Sequence, residues 1–334
     1  MKIFVTGHQG YIGAHLVDLL KESGHEVTGC DVGLFEGCGW RAVVAPDRVL
    51  RTDVRKLGPA DLEGHDCVMH LAALSNDPMG EVDEDLTLAI NRDASVDLAR
   101  AAKAAGVPRF LFAGSCSVYG KGESLDLRED DPINPLTAYA RSKTDTEVAV
   151  GALADDNFTP AFLRNATAYG DSPMLRIDLM VNNLLGSALA YGPIRIQSDG
   201  SPWRPLIHCR DIARAFIAFC QAPRERIHGR AVNIGANGEN YQVRTVAEQV
   251  KRLLPHADIA YTGEVGEDPR NYRVNFDLLS ELLPDFKLIY SVETGMEELL
   301  KRMRDYGFDR AAFEGSQFVR LRTLKHRLDL IGAA

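Results

Sequence analysis

The sequence has no C-x-x-C pair among its six cysteines, Cys30, Cys38, Cys67, Cys116, Cys209 and Cys220, and no histidine stands beside them at metal-ligand spacing. That excludes a zinc module and a dithiol redox site, and scattered thiols fit a reducing cytosol. No uncharged apolar run approaches membrane-spanning length, and no signal-peptide core precedes the first strand, so the chain is expected to be neither exported nor anchored. An excess of positive charge is also missing. The formal net charge is −9, which leaves no footprint for nucleic acid or for an anionic membrane. What remains is ordinary: 334 residues, 25% charged and 45% hydrophobic, bound one large domain or two interlocked ones. A cytoplasmic protein acting on a small molecule is the expectation.

The N-terminal half reads as βαβ repeats. Ile3-Phe4-Val5 forms a buried strand, GHQGYIG follows from Gly7 to Gly13, and AHLVDLLKESG has helical character. A second strand, Glu26 to Cys30, ends at Asp31. A strand, a glycine turn, a helix and a strand closed by an acid form the context in which a glycine loop holds a dinucleotide. Gly7 makes the tight turn, Gly10 lets a pyrophosphate approach the backbone, and Gly13 allows close helix packing, while the helix N-terminus favours negative charge. Asp31 is placed to accept hydrogen bonds from the adenosine ribose and would repel a 2′-phosphate, which predicts NAD in preference to NADP. The alternative is a glycine turn with no ligand. Further strands at Cys67–Leu71 and Arg109–Ala113, separated by an alanine-rich helix from about Leu86 to Ala105, predict a doubly wound parallel sheet. Ligands then lie beyond the carboxyl ends of the strands, at Ala72-Ala73-Leu74 and Ser115-Cys116-Ser117.

In TAYARSK, Tyr139 and Lys143 stand at i and i+4 of a helix and share a face. General-base work near neutrality asks a phenol to fall roughly three units from its free value near ~10, worth about 4 kcal/mol. One unit charge about 4 Å away, at an effective dielectric of about 20, supplies that much. The competing reading is a surface tyrosine beside a solvated lysine, and only the surrounding motifs decide between them.

With GHQGYIG, HLAALSND, GSCSVYG and YARSK in this order and spacing, the chain resembles the extended short-chain dehydrogenase/reductases, the NAD-dependent nucleotide-sugar epimerase/dehydratase family, and the UDP-glucose/galactose 4-epimerases among them. The resemblance extends over nearly the whole chain. LRNATAYG (Leu163 to Gly170), VNNLLGSAL (Val181 to Leu189) and SDGSPWRPLIHCRDIARAF (Ser198 to Phe216) look like the family's substrate-domain segments.

It implies an α/β fold, a Rossmann doubly wound sheet with a smaller C-terminal α/β substrate domain. Residues 1–170 would bind NAD, with a return segment near 206–235, and residues 171–334 would bind a nucleotide-diphosphate sugar. Tyr139 matches the family's acid/base. Lys143 matches the residue holding the nicotinamide ribose, and Ser115 the hydroxyl polarising the reacting oxygen. Tyr11 and Ile12 belong with the glycines of the cofactor loop, Asp53 and Val54 with the pair contacting adenine, and Leu71, Ala72 and Ala73 with the backbone passing the cofactor. Asn91 matches the polar residue near the active-site helix, with bridging of elements as its alternative. On the sugar side the resemblance implies Ser75, Ser117, Asn165, Thr167, Asn183, Arg204 and Arg270, the asparagine at a helix start for the phosphates and the two arginines for the diphosphate, where a planar fork suits paired oxygens. No metal is implied.

The chain also departs from the family pattern. Where 4,6-dehydratases usually carry an acid two residues before the tyrosine of the VYG turn, this chain has Ser117, preceded by Cys116. Asn165, Ala166 and Thr167 replace the tyrosine, aromatic and asparagine of the galactose epimerases, and His208 and Cys209 are adjacent without a cysteine in the turn to pair with. The expected activity is an NAD-dependent nucleotide-sugar epimerase, most simply a 4-epimerase. The alternatives are a keto-sugar reductase or sugar dehydrogenase, a 4,6-dehydratase, and a non-catalytic NAD-binding scaffold. A homodimer through the helices at 86–105 and 137–153 is implied. The C-terminal run FVRLRTLKHRLDLI places Leu321, Leu324, Leu328 and Ile331 at helical spacing among basic residues, which predicts an amphipathic helix docked on its own domain or a second subunit, in preference to a basic membrane or nucleic-acid helix.

Overall fold

A computed structural model describes residues 1–75, 82–120, 126–196, 198–261 and 271–327. Seven strands form one parallel sheet: β1 (Lys2–Thr6), β2 (Glu26–Cys30), β3 (Arg48–Leu50), β4 (Cys67–His70), β5 (Arg109–Ser115), β6 (Thr159–Asn165) and β10 (Ala231–Ile234), in the order β10-β6-β5-β4-β1-β2-β3. The strand residues alternate between two cores. Ile3, Val5, Cys67, Met69 and Leu111 face one side, where they meet Leu16, Val17 and Leu20 of the helix Gly13–Glu22 and Phe216 and Phe219 of the helix Cys209–Gln221. Phe4, Val68, Phe110 and Phe112 face the other, against Leu98, Ala99 and Ala102 of the helix Ala94–Ala104. Apolar residues at every position, not at alternate ones, mark strands buried on both faces, so helices must cover both. Fully burying each such side chain is worth about 1.5–3 kcal/mol.

The order reverses between β1 and β4, and at that switch point a crevice opens beyond the strand ends. In the C-terminal part of the chain a third core gathers Leu184, Leu185, Val246, Val250, Leu299 and Met303, beside a three-stranded sheet of β7 (Thr167–Tyr169), β9 (Trp203–His208) and β11 (Asn240–Gln242) and a pair of β8 (Ile194–Ile196) with β12 (Ile259–Tyr261). Strand β10 returns to the large sheet after β7 and β9 have left it, so the two layers are interleaved in sequence. Among the described residues, no helix is long and apolar enough to cross a membrane, and no cluster of His, Cys, Asp and Glu is arranged to hold a metal.

One expectation meets a different structure. The alanine-rich helix expected from about Leu86 to Ala105 is two pieces, Glu84–Leu88 and Ala94–Ala104, joined by a wide π-turn over Ala89–Asp93. The turn carries the buried Asn91 to Leu74, while the Asn91 carbonyl accepts from Ser95 Oγ at 2.7 Å and Thr146 Oγ1 at 3.2 Å. Side-chain hydroxyls thus answer a carbonyl freed from regular helix pairing. The C-terminal helix, Arg320–Arg327, docks on its own chain: Leu324 and Leu321 pack with Leu34, Leu74 and Ile90 beside the crevice. Leu328 and Ile331 lie outside the described residues.

Candidate active site

A cavity of about 280 Å³ runs along the crevice. Its cofactor end is shaped by backbone. Gly7 has φ of 71° and an added Cβ would lie 2.8 Å from Ala72 N; at Gly13 an added Cβ would fall 2.1 Å from Gly7 O. Only glycine fits either place, and the first turn of the helix Gly13–Glu22 opens into the space so left. Gly10, Tyr11 and Ile12 complete the wall. Asp31, one residue past β2, accepts Gln9 N at 3.1 Å and Gly33 N at 2.8 Å, which fixes its carboxylate at the cavity edge. Asp53 and Val54 line the same end. The Asp53 carboxylate is gripped by Arg55 through Nε at 3.0 Å and Nη2 at 2.8 Å; burial works against its charge, but these bonds outweigh it and hold its pKa below the usual value. A backbone cradle at a helix start with an acid at the adjacent strand end suits a dinucleotide diphosphate and ribose.

Leu71, Ala72 and Ala73 pass along the cavity floor. They are held from below: Thr6 Oγ1 accepts Leu71 N at 3.2 Å and Ala72 N at 3.1 Å and bonds His70 Nδ1 at 2.6 Å, and His70 Nε2 bonds Ser95 Oγ at 2.7 Å. Burial first, then the charge of Lys143, pushes His70 down to about 3, so it stays neutral and serves as a strut. Asn91 is a second strut. It accepts Leu74 N at 2.8 Å and donates to Leu74 O at 3.0 Å, and it does not line the cavity.

At the reacting end, Tyr139 and Lys143 project together from the helix Ala138–Gly151, whose N-cap Thr137 accepts Ala140 N at 3.1 Å. Lys143 Nζ lies 5.6 Å from the Tyr139 ring centre and 4.5 Å from that of Phe112. Lys143 is only 3% exposed. Burial drives its pKa down to about 7, with Glu147 pulling the other way. Against Phe112 this lysine is not the fixed unit charge of a solvated ammonium; its charge is poised near neutrality.

Ser115 ends β5 and caps the turn Cys116–Tyr119, its Oγ accepting Ser117 N at 3.1 Å. Its register partner across the sheet is Asn165, whose Nδ2 donates to Gly114 O at 3.2 Å. Asn165 Oδ1 and Ser117 Oγ, both buried and both on the cavity wall, find no partner among the described residues. Two buried polar atoms on the wall thus keep unused hydrogen-bonding capacity. Thr167 lines the same wall.

Other sequence candidates stand elsewhere. Ser75 lines the cavity and accepts from Arg176 Nη1 at 2.9 Å. Asn183 donates Nδ2 to Ile177 O at 3.1 Å, and Arg204 donates Nη1 to the Trp203 carbonyl at 2.8 Å; neither is on the cavity wall. Arg270 lies outside the described residues. His208 stacks on Tyr290 at 3.8 Å, and Cys209 donates Sγ to Asp171 O at 3.0 Å, both away from the reacting end. Cys116 is buried and donates Sγ to Arg164 O at 3.1 Å.

Sequence reasoning missed Arg176, Arg320 and Tyr272, all on the cavity wall. Arg176 has a local signature in Asp178, two residues on, which takes its fork at 3.0 and 2.7 Å. For Arg320 the helical pattern alone does not say which basic residue turns inward.

The family model described as "NAD dependent epimerase/dehydratase family" matches residues 3–235. The UDP-glucose 4-epimerase of Corynebacterium glutamicum is 29% identical over 273 residues, 77% of this chain and 81% of that protein. Among solved structures, TunA, an NAD-dependent NDP-hexosamine 5,6-dehydratase, superposes with a TM-score of 0.82 at 25% identity, covering 91% of this chain and 98% of its own. MoeE5, solved with UDP-glucose and NAD, has a TM-score of 0.76 at 28% identity over 91% of this chain and 99% of its own. The two reactions so named differ, 4-epimerisation and 5,6-dehydration, while TunA and MoeE5 share NAD. Because the matched span takes in every strand of the large sheet, from β1 to the returning β10, the chain belongs to the NAD-dependent epimerase/dehydratase family, with NAD as its cofactor.

Proposed function

We propose that the protein is a nucleotide-sugar 4-epimerase that oxidises its substrate transiently to a keto sugar and reduces it again. One observation carries this reading: among the described residues, the cavity wall brings one tyrosine–lysine pair together, Tyr139 with Lys143, beside a further phenol at Tyr272 and neutral polar groups at Ser115, Ser117, Asn165 and Thr167, while its carboxylates are confined to the cofactor end and no imidazole lines it. Oxidation and return need a single group that takes a proton and gives it back; elimination of water needs a further acid and base. The lining carboxylates, Asp31 and Asp53, belong to the cofactor end. The 4-epimerase activity named for the Corynebacterium relative agrees.

Bound NAD supplies a hydride acceptor that later returns the hydride. Tyr139 takes the proton of the sugar's C4 hydroxyl as the C4 hydride leaves, and Ser115 donates to the carbonyl oxygen that forms. Lys143 stabilises the phenolate. Asn165 and Ser117 hold the ring hydroxyls weakly enough for the keto sugar to turn over before its opposite face is reduced. The substrate in this reading is a nucleotide-diphosphate sugar in the cytoplasm. A homodimer is part of the same proposal, and Val148, 70% exposed on the Ala138–Gly151 helix, is a side chain that such pairing would cover.

The test is to incubate the protein as purified, without added NAD, with a panel of nucleotide hexoses while following nicotinamide absorbance. The reading predicts C4 epimer formed over many turnovers with no accumulation of NADH. Product formed in proportion to NADH made or consumed would replace it with a dehydrogenase or reductase, and inactivity on every sugar with NAD still bound would leave a scaffold.

A further inference from the structure

The helix Arg320–Arg327 lies beyond the span matched by the family model, yet it reaches the cavity wall. Arg320 is only 2% exposed. Its Nη2 donates to Met174 O at 2.9 Å, its guanidinium lies 4.7 Å from the Phe35 ring, and Nη1 has no partner among the described residues. Arg176 is its neighbour on that wall. Burial and then the charge of Arg176 bring Arg320 down to about 10, so the two guanidiniums feel one another. Asp178 is bonded to Arg176 and its charge reaches Arg320 as well, so the two arginines and the one carboxylate together carry one net positive charge.

Arg176 also ties the glycine loop to the reacting end. Its backbone carbonyl accepts Asn182 Nδ2 at 2.8 Å, and the same amide donates to Tyr11 Oη at 3.2 Å. Its charge is felt by Tyr11 and by Tyr139. An arginine pair with an unmatched charge and a buried free N–H, on the wall of the cavity that the helix start at Gly13 also opens into, is complementary to a dianion. The C-terminal helix further holds the loop after β2, since Arg327 Nη1 donates to Leu34 O and Glu36 O, both at 2.9 Å.

We infer that Arg320, together with Arg176, clamps the diphosphate of NAD against the glycine loop, so that the C-terminal helix is part of the cofactor site. This stands apart from the 4-epimerase reading, because it is tested by binding without turnover. The cofactor is stripped from the full chain and the affinities for NAD, ADP-ribose and adenosine are measured by calorimetry for Arg320→Met and Arg320→Lys. Loss of a charge-assisted bond predicts that Arg320→Met weakens NAD and ADP-ribose about 10- to 100-fold and leaves adenosine, which has no diphosphate, unchanged. Arg320→Lys, which keeps the charge and loses the fork, falls between; it carries the test alone if the methionine variant does not fold. NAD and ADP-ribose binding left intact, with or without a loss of UDP-glucose affinity, overturns the clamp. Equal weakening of adenosine also overturns it, since that marks a packing defect.

Discussion

The two ends of the cavity are built by different means. At the cofactor end, strand termini and missing side chains shape the space: Gly7 and Gly13 leave room that a Cβ would fill, and Asp31 is fixed by two backbone amides. At the reacting end, individual side chains from separate segments converge, Ser115 from β5, Asn165 from β6 and Tyr139 from its own helix. The first design tolerates almost no substitution but serves any reaction using NAD. The second allows substitution, and that is where related enzymes diverge in chemistry.

The contrast breaks if the ends do not respond separately. Tyr139→Phe removes the phenol that shares a helix face with Lys143 and should lower kcat by roughly 10²–10⁴-fold while the purified protein keeps its NAD, read by extraction of the nucleotide. Gly13→Ala should do the reverse in kind. Its Cβ meets the Gly7 carbonyl at 2.1 Å, backbone against backbone, so NAD affinity should fall by about 100-fold or more and the melting temperature should no longer rise on adding NAD. Asn165→Ala should leave NAD binding untouched and change KM for the sugar by about tenfold, the worth of one hydrogen bond in a closed site. An NAD defect in that variant would show that the ends are coupled.

The smallest effect sharpens the reacting end. Lys143 has a folded-state pKa of about 7 against its ordinary 10.5. Between these values the unfolded chain holds a proton that the native protein lacks, so the cofactor-free protein gains stability as pH rises through this window. Lys143→Met should remove that slope and raise the melting temperature near pH 7, by about 2–4 °C for each kcal/mol gained, while activity is lost. A variant that melts lower would mean that the ammonium is stabilised by groups other than Glu147.

How much could be read beforehand follows the same division. The glycine loop, β2 ending at Asp31 and the doubly wound sheet were legible because backbone geometry restricts residue type within a few positions. Tyr139 and Lys143 were legible because helical periodicity alone puts them on one face. Asn91 takes the bridging role that stood as its alternative, but its partners, the backbone N–H and carbonyl of Leu74, depend on a π-turn that no local pattern announces. Arg320 was hidden by distance: it meets Phe35 across most of the chain, and nothing nearby in sequence distinguishes it from Arg322 or Arg327.

The central claim is that one tyrosine moves a proton out and back while hydride leaves and returns at a single carbon. The direct measurement is NMR of the products formed when the NAD-loaded protein acts on nucleotide hexoses in deuterated water. The account predicts the C4 epimer with protium retained at every carbon. Deuterium at a carbon beside C4, or a product that has lost water, would contradict it.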